Sequence, residues 1–162
     1  MRAKLKSLFL SILFIAAVLA GCGVPAEETE ENNVYQEESV ESESYEYLDE
    51  SGTYTSKEDV AAYIYKFGHL PDNFITKKEA KALGWESKEG NLVEVAPGMS
   101  IGGDYFGNYE GLLPEEDGRD YYECDINSDG GYRGPERIVF SNDGLIYYTE
   151  DHYESFEQLY GE

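Results

Sequence analysis

Asn142-Asp143-Gly144 separates "RIVFS" (residues 137–141) from "LIYYT" (residues 145–149), and no other stretch restricts the fold as much. Asn, Asp and Gly reach the backbone conformations of a tight hairpin at little steric cost, and both flanking runs are rich in β-branched and aromatic residues. The two runs are therefore expected to pair antiparallel. Further strand-like runs occupy residues 120–126 and 155–160, so the chain after Gly103 reads as sheet.

The stretch before Gly103 has another periodicity. Ser56, followed by Glu58 and Asp59, spells a helix start; Val60, Ile64 and Phe67 then share one face before Gly68 and Pro71 end it. Thr76-Lys77-Lys78-Glu79 is a capping-box sequence for a second short helix through Ala82, closed by Gly84. A third short turn covers residues 91–95 and stops at Pro97-Gly98. Helices first and an antiparallel sheet second define an α+β domain, with N-terminal helices packed on a C-terminal antiparallel β-sheet.

That domain spans residues 52–162, long enough for one hydrophobic core. Two segments precede it. Residues 1–21 place Arg2, Lys4 and Lys6 before an apolar run, residues 7–20, that is short for a membrane span; Leu19-Ala20-Gly21-Cys22 follows the pattern of a bacterial lipoprotein signal, in which Cys22 takes the lipid. The alternative is a plain secretory signal with an incidental cysteine. Residues 22–51 hold 11 acidic and no basic residues, lack periodicity, and read as a solvated tether. The chain is expected to be extracellular and tethered to a membrane by that lipid anchor. Cys124 then has no partner for a disulfide and, inside a strand-like run, reads as a small buried hydrophobe.

Chemistry concentrates in the sheet half. His152, one of only two histidines, stands among Glu150, Asp151 and Glu154. A neighbouring carboxylate favours the imidazolium, which suits a general acid near neutral pH; the plainer alternative is a surface histidine in a polar loop. Glu123 in "DYYECDI" has tyrosines and a cysteine around it, which predicts a raised carboxyl pKa and a general base. Arg133 and Arg137 are two of the domain's three arginines; with Lys77 they could build an anion site, or pair plainly with Asp125 and Glu136. "DINSDGGYRGPE" (residues 125–136) has the spelling of a calcium loop, but it joins strands where such loops join helices, and Pro135 precedes its last ligand position. A glycine-rich connection is preferred there, and no metal or cofactor is expected.

Long runs then carry a resemblance. "LPDNFITKKEAKALGW" (residues 70–85), "GNLVEVAPGMSIGGDYF" (residues 90–106) and "DHYESF" (residues 151–156) resemble the barnase/binase-type family of secreted bacterial guanyl-preferring ribonucleases, from Tyr63 to Phe156 without a gap. The resemblance implies an extracellular endoribonuclease that cuts single-stranded RNA 3′ of guanosine through a 2′,3′-cyclic phosphate. It implies Glu123 as general base, His152 as general acid, and Arg133, Arg137 and Lys77 on the phosphate. It further implies Phe106, Asn108 and Glu110 on the guanine-recognition loop and Tyr153 flanking the nucleotide, with Asp125 orienting the two arginines. A monomer acting on RNA and not DNA is expected, with a barstar-type protein inhibitor as the protein partner such enzymes commonly have.

Three features depart from the family pattern. Tyr109 stands where a basic residue is expected and Gly107 where a small hydroxyl residue is expected. Residues 52–162 carry 9 basic and 23 acidic residues, a net −14, where the family is basic. Such a domain should repel RNA at long range, and it offers poor steering to an acidic inhibitor, although barnase with barstar is itself the standard example of charge-steered association. The competing reading is a catalytically inactive acidic surface lipoprotein that binds a partner or calcium.

Overall fold

The computed structural model describes residues 47–162. Cys22 and the signal segment lie outside the described residues, as does most of the acidic stretch.

Helix α1 (Lys57–Phe67) starts where the sequence predicts. The Ser56 side chain accepts from the Asp59 amide at 3.1 Å, Glu58 and Asp59 face the positive end of the helix, and Gly68 closes it at φ +79°. Strand β1 (Phe74–Ile75) leads into α2 (Lys77–Ala82), whose capping box is complete: Thr76 and Glu79 exchange side-chain-to-backbone bonds of 3.2 and 2.8 Å. One turn, α3 (Leu92–Val95), precedes the long strand β2 (Ser100–Phe106). Then follow β3 (Tyr121–Asp125), β4 (Arg137–Ser141), β5 (Ile146–Thr149) and β6 (Glu157–Tyr160).

The six strands lie in chain order in one sheet; β1 pairs with β2 in parallel and every other pair is antiparallel. Ser141 and Leu145 close the expected β4–β5 hairpin, with Gly144 at φ +102° completing a three-residue loop. The sequence pattern places the sheet after Gly103, whereas it begins at β1 and β2. Gly102-Gly103 reads as punctuation but lies inside β2. A Cβ on Gly102 would stand 2.6 Å from Cys124 Cβ and 2.7 Å from Phe74, so close strand approach requires glycine there. Gly103, at φ +88°, is the extra residue of a β-bulge, since Gly102 pairs with Cys124 and Asp104 with Glu123.

Period-two alternation gives the sheet two working faces. Cys124, Ile138 and Ile146 face α1 and pack on Val60, Ala61 and Ile64. Cys124 is a buried free thiol whose pKa burial pushes well up, in keeping with an inert core residue. On the opposite face Tyr121, Val139 and Tyr147 form a second cluster with Leu113 and Leu145, and the same side carries Glu123, Asp125 and Arg137. A third cluster holds Ala80, Trp85, Leu92, Ala96 and Ile101, fixing α2 and α3 against β2.

Residues 47–51, which composition assigns to the tether, are part of the packed domain. Leu48 is buried against Ala62 and Tyr63. The Tyr63 hydroxyl donates to the Glu50 carbonyl at 2.8 Å, Lys66 Nζ to the Leu48 carbonyl at 2.9 Å, and the Tyr47 hydroxyl to Asp59 at 2.6 Å. Acidic composition hid this clasp because its anchors are one leucine and backbone carbonyls. A chain beginning at Gly52 should therefore lose about 2 kcal/mol or more relative to one beginning at Tyr47, the scale of removing one buried leucine. Urea unfolding midpoints measure this, and equal midpoints would mean that the segment only rests on α1.

Candidate active site

Alternation along β3 sends Glu123 and Asp125 to one side, where the β4 register sets them opposite Val139 and Arg137. The β2 bulge brings Asp104 beside Glu123. Asp104 Oδ2 accepts from the Lys77 amide at 2.8 Å and so pins the start of α2 to the sheet, and Lys77 Nζ donates to Glu123 Oε1. A strand, a bulge and a helix start thus bring one carboxylate and one ammonium together.

Two guanidiniums stand behind them. Arg133 grips Asp125 with both arms of its fork, Nε to Oδ2 at 2.7 Å and Nη2 to Oδ1 at 2.6 Å, and lies 3.6 Å from Glu123. Arg137, 1% exposed, donates Nη1 to the carbonyls of Gly134 and Glu136, each at 2.7 Å. Its Nε lies 2.9 Å from Asp125 Oδ1 and 3.5 Å from Glu123 Oε2, off the line of a hydrogen bond, so these contacts are charge–charge in character. With both oxygens of Asp125 turned to arginines, the loop of residues 126–136 is tied down otherwise. Asn127 donates to Glu136 at 3.0 Å, and Gly130 backs so closely on Val93 that a Cβ would meet it at 2.9 Å.

The Glu123 pKa differs from the sequence expectation. Burial is the largest single influence and pushes it up, but Lys77, the Tyr153 hydroxyl and Arg133 together outweigh burial and hold the carboxyl below its ordinary value of 4.5. The tyrosines and cysteine that flank it in sequence do not define its surroundings: Tyr122 and Cys124 point to the other face, and cations from α2 and from the loop before β4 supply the field. The Tyr153 hydroxyl, raised by burial and by the Glu123 carboxylate it bonds, keeps its proton and acts as a donor.

His152 and Tyr153 are held at φ +60° and +74°, two consecutive left-handed residues that are not glycine. Asp151 imposes that shape. It does not sit as a partner of the imidazole: Oδ1 accepts from the Thr149 hydroxyl at 2.8 Å and from the amides of Glu154 and Ser155 at 3.0 and 2.9 Å, and Oδ2 from the Ser155 hydroxyl at 2.5 Å. The Ser155 bonds foremost hold this carboxyl at about 2. The Tyr153 amide closes the knot on Thr149 Oγ1 at 3.0 Å, and the Tyr153 ring packs 5.2 Å from that of Phe106.

The loop after β2 completes the enclosure. Asn108, 7% exposed and at φ +43°, exchanges side-chain bonds with the Leu113 amide and carbonyl at 3.0 and 2.9 Å. Its side chain shapes the loop. Gly107 allows the Tyr109 ring to lie over it, since a Cβ there would meet that ring at 2.4 Å. The result is a cleft of about 760 Å³ whose walls bring together Lys77, Glu123, His152, Tyr153, Phe106, Asn108 and Glu110. Arg133 and Arg137 stand behind that wall. Asp104 and the Thr149–Asp151–Ser155 knot escape sequence reasoning; Asp104 gains its place only through the bulge, which no local motif announces.

A buried base beside an ammonium and two guanidiniums, with an imidazole on the same cleft, can move protons at a phosphate ester. The comparisons agree. The family model described as ribonuclease matches residues 57–160. A ribonuclease of Bacillus intermedius is 42% identical over 159 residues, covering 96% of this chain and 98% of that protein. One from Heyndrickxia coagulans is 54% identical over 100 residues, 62% of this chain and 92% of its own length. A guanyl-specific ribonuclease of Saccharopolyspora erythraea is 44% identical over 55 residues, 33% of this chain and 54% of its own. The chain belongs to this ribonuclease family.

The charges in the cluster are unequal in their hold on the fold. Removing Glu123, 4% exposed, leaves Lys77, Arg133 and Arg137 facing Asp125 alone, whereas Lys77 is half-exposed and its loss leaves Glu123 with both arginines. Glu123→Ala should therefore cost about 3 kcal/mol, the scale of a buried ion group stripped of one partner, and Lys77→Ala much less. Chemical denaturation of the two variants decides it; equal costs would mean that the arginines do not share in holding Glu123.

Proposed function

We propose that this chain is an exported endoribonuclease that cleaves single-stranded RNA 3′ of guanosine by acid–base transesterification. The observation that carries the reading is the convergence of Glu123, His152 and Lys77 on one cleft, with two arginines backing Glu123. Glu123 takes the proton of the ribose 2′-OH, that oxygen attacks the adjacent phosphorus, and His152 protonates the departing 5′-oxygen. The products are a 2′,3′-cyclic phosphate and a 5′-OH end; water then opens the ring with the two roles exchanged. Lys77, Arg133 and Arg137 meet the charge that grows on the phosphoryl oxygens. DNA, without the 2′-OH, escapes this route.

Guanine preference is supported by the Glu110 carboxylate on the cleft wall, able to accept from the guanine N1 and N2 donors, and by the guanyl-specific relative. The lipobox-like Leu19-Ala20-Gly21-Cys22 supports export and a lipid tether through Cys22. The direct assay is cleavage of the dinucleotide GpU. Glu123→Ala and His152→Ala should each lower kcat by about 10²–10⁴-fold while the fold persists. Unchanged turnover in either variant, or a folded wild-type chain that leaves GpU intact, would remove the reading and leave a binding protein.

The Lys77–Glu123 bond adds a pH signature. In the free enzyme the cations hold Glu123 down; when a phosphate draws Lys77 away, burial is less opposed and the carboxyl becomes a stronger base. The acid limb of kcat/KM, which reports free enzyme, should lie below pH 4.5, and that of kcat at higher pH. Superimposed limbs would rule out this tuning. On polymeric RNA, repulsion from a domain of net −14 predicts a rate that rises over the first additions of salt, measured at constant folding; a rate that falls would count against it.

A further inference from the structure

Nine cationic side chains must serve an acidic domain that works on a polyanion, and most are committed. Lys77, Arg133 and Arg137 face Glu123 and Asp125; Arg119 bonds Glu116 and Asp143; Lys57 lies between Glu58 and Glu157; Lys66 reaches the Leu48 carbonyl. Among the described residues, Lys78, Lys81 and Lys88 form no ion pair. Two of these three belong to α2, the helix whose first residue is Lys77.

Lys81 is four residues after Lys77, hence on the same helix face with its Cβ about 5–6 Å further on. That is comparable with the step from one phosphate to the next along an extended strand. Lys78 and Lys81 are both exposed, and Glu79, the carboxylate nearest in sequence, is folded back into the capping box on Thr76. We propose that the exposed surface of α2 is a second phosphate subsite, in which Lys81, assisted by Lys78, holds a phosphate flanking the scissile one. The proposal rests on the ribonuclease reading and adds a path: the strand leaves the cleft along α2, where uncommitted positive charge adjoins the site. Elsewhere the cleft rim presents Glu110 and Glu154.

The test compares GpU, which has a single phosphate, with a longer oligoribonucleotide containing one internal guanosine, using the full-length chain, the Lys78→Gln/Lys81→Gln variant and Lys88→Gln. Glutamine keeps helix propensity, so α2 should persist. GpU cleavage should be unchanged, while kcat/KM on the oligonucleotide falls about tenfold at low salt, about threefold per lysine, and the loss shrinks as salt rises. Equal losses on both substrates would place the lysines' effect in the catalytic cluster and overturn the subsite. An equal loss from Lys88→Gln would also overturn it, by assigning the effect to net charge. A wild-type chain that cleaves neither substrate removes the ribonuclease reading, and the subsite with it.

Discussion

The fold holds a cluster of opposite charges in which two carboxylates, Glu123 and Asp125, are shared by Lys77, Arg133 and Arg137. Either carboxylate without the cations would be a buried charge with no partner, and the cations without the carboxylates could not be packed so closely. The architecture follows this demand. Period-two alternation puts both acids on one face, the β3–β4 register brings Arg137 opposite Asp125, and the connection before β4 returns Arg133 to the same place.

Neutralising Lys77, Arg133 and Arg137 within the protein also makes them available to a phosphate only by exchange. On the proposed mechanism, a bound phosphate would compete with Glu123 for Lys77, and the outcome would set the proton affinity of that carboxylate. The acidic surface sharpens this, because attraction for RNA must come from the cleft and its immediate border and not from a general positive field.

Much of this was legible in the sequence. The Ser56 and Thr76 caps and the hairpin at Asn142-Asp143-Gly144 depend on neighbours within four residues and appear as expected, as does the α+β class, although the sheet starts earlier than its local pattern indicates. Glu123, His152 and Lys77 stood out from their own residue surroundings, Phe106, Asn108, Glu110 and Tyr153 only through the family resemblance, and the structure brings all seven onto one cavity. What stayed hidden depends on contacts distant in sequence. Gly102-Gly103 looked like a break because the strands that crowd it are elsewhere in the chain. Glu123 looked like a carboxyl in apolar company because its cations arrive from α2 and the loop before β4. Asp151 looked like a partner for His152, but its oxygens serve the loop.

That loop has its own independence. His152 rides, exposed, on a left-handed turn knotted by Asp151, Thr149 and Ser155, while the neighbouring Tyr153 and Phe156 rings pack at the margin of the second hydrophobic cluster. The knot is local enough to open without the sheet and α1 separating, so loss of the imidazole's position and loss of the fold are distinct events with distinct thresholds. A population of molecules can therefore be fully folded by every global measure and still hold a fraction whose imidazole is out of place.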